Sequence, residues 1–394
     1  MKKFFALLLA MILVVGMLAG CNGKADLTYA VSGTVNGESQ KFAVGPYRYY
    51  VQWMTDYYYA YIMTMAAQAN KKVSWTEMLA DKTLTAPDTL SDYIVTTAKE
   101  QYMTWLYVEL TFDALGLKLD ADDETEINRI IQEDWVSIYG NDGFNTIRQT
   151  LGLTYDEFRN LMACNLKSQK IIEYYYGEGG PNEVTLDEMK EYYANNFVRF
   201  KYIVLMTQDS KGNKYGEDKM NEITNNKATI MAALENKTST FEDLIVKYSD
   251  DYTEITTDMT STEKEAAEKQ NKTILEDGLI IDSEGVFDKN LATYYNVVVD
   301  SDIVDKVFGM KNGEFVSVKL DDSIWIIQRY ANDEKAEYFE DVKEMTYQAL
   351  YQDDFAAKHT DWRNRLNYVY NEAVIDAYKP ENLADLFDFA TKGY

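Results

Sequence analysis

Histidine occurs once in the 394 residues, at His359, cysteine twice, at Cys21 and Cys164, and proline four times. A single imidazole with no cluster of Cys or His excludes the usual zinc sites and a histidine-dependent catalytic triad. No Gly-rich phosphate loop and no serine elbow is found, so the chain gives no sign of nucleotide-cradling or hydrolase chemistry. Neither a metal nor a cofactor is therefore expected. Basic residues are scarce, 39 Lys and Arg against 65 Asp and Glu, and a formal charge of −26 makes nucleic acid a poor partner. After the first twenty residues, no apolar run approaches the roughly 18–20 residues that a membrane-spanning helix needs.

The first twenty residues have a different character. Lys2 and Lys3 precede an apolar run from Phe4 to Leu18, and Ala19 and Gly20 stand directly before Cys21. This is the layout of an export signal, and the run is short for an uncleaved span. Leu18-Ala19-Gly20-Cys21 resembles the lipobox of bacterial lipoproteins. That resemblance implies a diacylglyceryl group on the Cys21 thiol and cleavage that leaves Cys21 as the first mature residue. Two acyl chains anchor far more firmly than one, because each buried methylene adds about 0.8 kcal/mol. The expectation is a signal peptide over 1–20, a lipidated tether over 21–30, and a protein on the outer, extracytoplasmic face of the bacterial cell membrane. Lys2 and Lys3 leave with the signal, so 37 basic residues face 65 acidic ones and the formal charge becomes −28. Such a surface repels anionic head groups, and attachment must come from the anchor. Cys164 is then the single free thiol, which rules out an intrachain disulfide, and its helical context reads as a small buried hydrophobe.

The 374 residues that remain are enough for two or three domains with real cores. Val31 to Val44 holds the hairpin dipeptide Asn36-Gly37 between extended segments. Pro46 opens a helical stretch to about Asn70 that is apolar or aromatic on nearly every side, so this helix is either buried or lines a groove. Further helices are expected over 87–115, 123–139 and 154–172, the last opened by the capping pair Thr154 and Glu157. Gly177-Glu178-Gly179-Gly180-Pro181 breaks the pattern and is the best domain boundary. Beyond it come a helix from Thr185 to Asn195, a strand from Arg199 to Met206, and helices over 217–234 and 241–248. Residues 252–275 show no clear periodicity and read as a mobile insertion. Strands over 314–320 and 324–330 flank Asp321-Asp322-Ser323, followed by a long helix over 338–370 and a short one after Pro380. Strands and helices within 199–330, between helical flanks, make the whole α+β.

The order of these parts resembles the PrsA and SurA families of extracytoplasmic folding factors. Val35-Asn36-Gly37 before an apolar helix, and Gly152 to Arg159, are similar to segments of their chaperone domain. Phe241-Glu242-Asp243-Leu244, followed by Lys247-Tyr248-Ser249-Asp250-Asp251, is similar to the FEDLAKKYSDD pattern of parvulin-type prolyl isomerases. Val307-Phe308, Met310 to Glu314 and Ile324 to Arg329 resemble that domain's closing helix, turn and strand. The resemblance covers about residues 30–370. It implies a mostly helical chaperone domain over 31–180, an inserted parvulin-like α+β domain over 181–333, and C-terminal helices over 334–394 that pack back on the chaperone domain.

Carried over residue by residue, the two histidines expected of a parvulin fall on Tyr202 and Trp325, and the acid falls on Asp251. The proline-pocket positions fall near Val299 and Ile303, with Phe308 beside them. Isomerising an X-Pro bond means lowering a barrier of roughly 18–20 kcal/mol set by amide resonance, and the two imidazoles used for that are replaced. The resemblance therefore implies a parvulin-like domain of weak or absent activity in a factor that binds unfolded or newly exported polypeptides. Asp251 also reads simply as a turn carboxylate, and Tyr202 and Trp325 as core filling. Tyr50, Trp53, Tyr57 and Tyr61 are the candidate client-binding aromatics, with a buried core helix as the plainer alternative. An active isomerase and a solute-binding lipoprotein of a transporter are the competing functions. The sequence leaves homodimer formation open.

Overall fold

The computed structural model describes residues 27–286, 298–383 and 387. The signal segment and Cys21 lie outside the described residues. The chain divides into two compact units, Met1–Glu183 with Asp353–Tyr394, and Val184–Gln352. Both helix and sheet are present, with helix in excess. No helix among the described residues is long and apolar enough to cross a membrane.

In the first unit, strands β1 (Tyr29–Val35) and β2 (Glu38–Ala43) form the hairpin that Asn36-Gly37 announces. Both turn residues have positive φ, 52° and 86°, as a two-residue turn matching strand twist requires. A third strand, β7 (Val369–Tyr370), pairs with β1 from the far end of the chain. Gly33 is needed where the two ends meet, because a Cβ there would stand 2.8 Å from the Leu366 side chain.

Helix α1 (Val44–Gln68) starts two residues before Pro46, which sits in its first turn where a missing N–H costs nothing. It packs with α3 (Leu90–Ala114) around buried Tyr47, Val51, Met54, Ile94, Tyr102 and Met103. Pro87 lies ahead of α3, contrary to the expected start, because the Thr89 side chain caps the helix by accepting from Asp92 N–H. The short α2 (Trp75–Leu79) has no counterpart in the sequence reading. The helix expected over 123–139 is α4 (Ala121–Ile130) running into a π-helical turn, Ile131–Val136, and then α5 (Ser137–Leu151). Gly140, at φ 69° and ψ 166°, leaves helical geometry, so the helix expected to stop there does break, and α5 is two helical pieces joined across that kink. The helix expected over 154–172 is two, α6 (Tyr155–Met162) and α7 (Cys164–Tyr176), with the Thr154–Glu157 capping box in place. Lys167 and Glu109 form an ion pair at 2.7 Å that links α7 to α3. Burial holds the Glu109 carboxyl above its ordinary range in spite of Lys167.

The second unit is built on a four-stranded antiparallel sheet in the order β4-β3-β6-β5. Its strands are β3 (Phe197–Met206), β4 (Leu279–Asp282), β5 (Phe315–Lys319) and β6 (Ser323–Tyr330). Nine of the ten β3 residues are buried, as suits a central strand covered on both faces. Helices α8 (Leu186–Asn196), α9 (Glu217–Glu235) and α10 (Phe241–Tyr248) follow the sequence reading closely.

The reading of 252–275 as a mobile insertion is corrected. That stretch contains α11 (Ser261–Lys272) and a π-helical turn, Thr273–Asp277, with Ala267, Asn271 and Ile274 buried. Thr260 and Glu263 form the capping box that starts α11, and Asn271 exchanges two hydrogen bonds with the Thr253 backbone. Helix α12 (Ser301–Gly309) adds Ile303, Val304 and Val307 to the core. Helix α13 (Glu337–Leu366) was expected to open the returning C-terminal segment at 334, yet the second unit extends to Gln352 within this helix. Tyr338, Phe339 and Val342 near its start pack with Met189, Tyr193, Phe197 and Ile280. Helix α14 (Glu372–Ala377) buries Val374 and Ile375 in the first unit, and of the short helix expected after Pro380 the described residues hold a 3-10 turn, Pro380–Asn382.

Candidate functional site

Two groups of side chains are candidates, one in each unit. In the first unit, the 3.6-residue period of α1 separates two faces that the composition alone does not distinguish. Tyr47, Val51, Met54 and Ile62 turn inward. Trp53, Tyr57, Tyr61 and Met65, spaced by four, are exposed at 38%, 42%, 46% and 49% of their surface. The rings of Trp53 and Tyr57 stack with centroids 5.6 Å apart and planes 4° from parallel. With a rise of 1.5 Å per residue the stripe runs about 18 Å along the helix. From Val51 to Gln68 the only charged side chain is Asp56, and it is buried. The outcome is an uncharged aromatic face on a strongly acidic chain. Tyr50 does not share it, being half-buried between two hydrophobic clusters with its hydroxyl pushed well above the ordinary phenol value by burial. Met65 continues the i+4 series and was missed, although the spacing alone could have found it.

In the second unit, Tyr202 and Trp325 lie on one face of the sheet, because Tyr202 is two residues from Val204, whose cross-strand partner is Trp325. Their rings are 4.7 Å apart at 31°. The Trp325 indole donates to Ser323 Oγ at 3.2 Å. Asp251 follows the segment that closes the free end of β3: Asp250 N–H donates to the Val204 carbonyl at 2.8 Å, and Asp250 Oδ2 accepts from Met206 N–H at 2.7 Å. Ser249 Oγ accepts from Val204 N–H at 3.1 Å. Ser249 and Asp250 therefore carry the structural task, and Asp251 does not share it. Among the described residues the Asp251 carboxyl accepts no hydrogen bond. Burial and then the charge of Asp250 raise it above the ordinary carboxylate range. Burial and then the charge of Asp251 likewise raise the Tyr202 hydroxyl. Tyr202, Trp325 and Asp251 are thus brought together, while no hydrogen bond joins the phenol to the carboxyl. Val299 and Ile303 are buried in the core, and Phe308 packs against it half-buried.

The opposite face of β3 holds a polar network that sequence reasoning missed. Arg199, 1% exposed, donates to the carbonyls of Glu276, Asp277 and Ala331 and pairs with Glu334 at 2.6 Å. Its guanidinium lies 4.1 Å from the Tyr338 ring centre. Lys201 pairs with Glu242 at 2.6 Å and donates to the Leu275 carbonyl. The signal was two cations alternating along an otherwise apolar strand. Among the described residues, no group of three or more His, Cys, Asp or Glu side chains is placed to hold a metal ion.

No protein-family model matches the chain, and no curated protein matches it. Solved structures do resemble it. PrsA from Bacillus subtilis is 18% identical with a TM-score of 0.22, the match covering 73% of this chain and 85% of that one. The foldase protein PrsA from Streptococcus pneumoniae is 14% identical at a TM-score of 0.28, covering 76% and 90%. The foldase protein PrsA from Lactococcus lactis is 15% identical at 0.27, covering 76% and 97%. At these values the likeness assigns no residue a role.

Proposed function

We propose that this chain is an extracytoplasmic folding factor that binds unfolded or newly exported polypeptides, held on the outer face of the cell membrane through lipid on Cys21. The observation that carries the reading is the exposed stripe of Trp53, Tyr57, Tyr61 and Met65. Large rigid rings with polar tips give contact area at low entropic cost, and methionine adapts to irregular partners. An extended chain rises about 3.3 Å per residue, so an 18 Å stripe spans roughly five or six residues of a client. The absence of exposed charge along the stripe removes any electrostatic demand on the client's sequence, as a general holder of chains requires.

The second unit is read as a parvulin-like domain that serves as a scaffold and has little or no isomerase activity. Tyr202 and Trp325 occupy each other's flanks where two imidazoles are expected, and a phenol is neutral near pH 7 even before burial raises it further. Nothing in that arrangement offers a proton relay to a twisting amide near neutral pH.

The test uses residues 22–394 mixed with an aggregating client and followed by light scattering. Suppression at stoichiometric excess is expected, and no suppression refutes the reading. A proline-peptide assay is expected to show no turnover; turnover near that of an active parvulin, abolished by Asp251→Ala, would overturn the scaffold assignment. A solute-binding role is disfavoured by residues 44–176, whose regular elements are all helices and which lack the strands of a doubly wound lobe.

A further inference from the structure

His359, the single histidine of the chain, lies on the part of α13 that belongs to the first unit, where its ring meets α3. The imidazole is 4.7 Å from the Tyr107 ring at 36° and 6.2 Å from the Trp362 ring at 29°. Tyr107 also stands 5.4 Å from Trp362 and 5.9 Å from Phe355, so aromatic rings close the seam between the two helices. The Nε2 atom of His359 is buried there and has no hydrogen-bond partner among the described residues. Buried polar atoms are paired as a rule, and a phenylalanine would fill this place without leaving a nitrogen unsatisfied.

The groups around the ring decide what a proton on it would do. Burial opposes the charged form most, and Arg363, one turn further along α13, opposes it next; Glu100 and the Met103 main chain, both of α3, favour it. Asp354 and Arg365 of α13 bear on Tyr107 with opposite signs. Tyr107 itself, Tyr175 of α7 behind it and Tyr370 of β7 near Glu100 are phenols raised by burial, neutral wherever an imidazole titrates. Arg363 and Glu100 are joined by two hydrogen bonds, at 2.5 Å and 3.1 Å, and Arg363 donates to the Tyr368 hydroxyl at 2.8 Å. A charged imidazole therefore places a second cation beside Arg363, competes with it for Glu100, and adds an N–H that meets no acceptor. Just beyond the seam, β7 pairs with β1, and the Asn371 N–H donates to the Ala30 carbonyl at 2.8 Å. We infer that His359 is an acid-sensitive latch: one proton taken up by its Nε2 lone pair releases residues 355–366 of α13 from α3 and slackens the pairing of β7 with β1. The neutral ring belongs to the closed seam and the charged ring to the open one, so the latch holds above pH 6.5 and gives as pH falls below it. Acid thus acts on the unit that carries the α1 stripe, whether or not that stripe binds clients.

A single histidine gives a single imidazole resonance, so NMR of the full chain carrying ¹³C-labelled histidine reads this titration directly. A folded midpoint below 6.5 is expected, and one at or above 6.5 overturns the inference. Amide-exchange protection, corrected for the intrinsic pH dependence of exchange, is then compared at about pH 7.5 and about pH 5. Residues 355–366 are expected to lose at least about threefold in protection at the lower pH, with residues 197–206 of the second unit as the internal reference. His359→Phe keeps a ring at the seam, cannot take the proton, and is expected to lose none. Unchanged protection in wild type overturns the inference, and so does an equal loss in His359→Phe, which would assign the effect to carboxylates such as Glu100. If His359→Phe does not fold, the reference segment decides: a loss of the same size over 197–206 is global and overturns the latch.

Discussion

Replacing Arg199 by methionine should cost the second unit about 3 kcal/mol. Arg199 is almost wholly buried, donates to three main-chain carbonyls, pairs with Glu334 and lies over the Tyr338 ring. Methionine keeps the length and apolar packing of the stem and removes every donor. Hydrogen bonds to a charged group are worth roughly 1.5–3 kcal/mol each, so the gross loss is several kcal/mol. Two effects offset it. The guanidinium no longer has to be stripped of water, and the Glu334 side chain, 46% exposed, recovers solvent. Breaking a buried ion network typically costs about 3–5 kcal/mol, and partial rehydration of Glu334 places this case at the low end. For a unit of about 170 residues, each kcal/mol moves the midpoint by about 2–4 °C, so the expected fall is about 6–12 °C. Calorimetry on the full chain reads it as a shift of one transition. A midpoint equal to or above wild type would show that desolvation outweighs the network and would refute the reasoning.

Three further outcomes are expected. Asp251→Asn should raise the midpoint at pH 7: the folded carboxyl titrates above its ordinary value of 3.8, so its stabilising protonated form is lost as pH rises through the folded value. The advantage should vanish below about pH 3.8, and an Asn variant no more stable than wild type at pH 7 would contradict it. His359 packs 4.7 Å from the Tyr107 ring, and burial followed by Arg363 lowers its pKa below 6.5. The unfolded chain then takes up the proton first, so this contribution to stability is present above pH 6.5 and lost as pH falls; His359→Gln should flatten that limb of a urea-midpoint profile. Thr260→Ala removes one half of the α11 capping box and should cost about 1 kcal/mol, seen as faster amide exchange over 261–272, whereas unchanged exchange would mean that Asn271 and its neighbours hold the segment alone.

The elements that the sequence announced well are those where local chemistry and tertiary demand agree. Asn36-Gly37 suits only a tight hairpin, and the Thr-x-x-Glu boxes at 154 and 185 specify helix starts whatever packs against them. Thr260 and Glu263 carried the same signal for α11, but the polar composition around them obscured it. The two faces of α1 were illegible because tyrosine serves equally well inside and out, and only packing against α3 decides which rings face solvent. Arg199 was illegible for another reason: its partners are main-chain carbonyls of a π-helical turn 77 and 78 residues away, and no local pattern encodes them.

The central claim is that exposed rings on α1 hold client chains. It is tested most directly by measuring the affinity of a labelled, permanently unfolded client for wild type and for the Trp53→Ser, Tyr57→Ser double variant, with the thermal midpoint of each recorded. Both rings are exposed, so the midpoints should agree within a few degrees, while aromatic anchors at a binding surface are worth about 2 kcal/mol each. The account predicts at least a tenfold loss of affinity at an unchanged midpoint. Wild-type affinity in the double variant would contradict it.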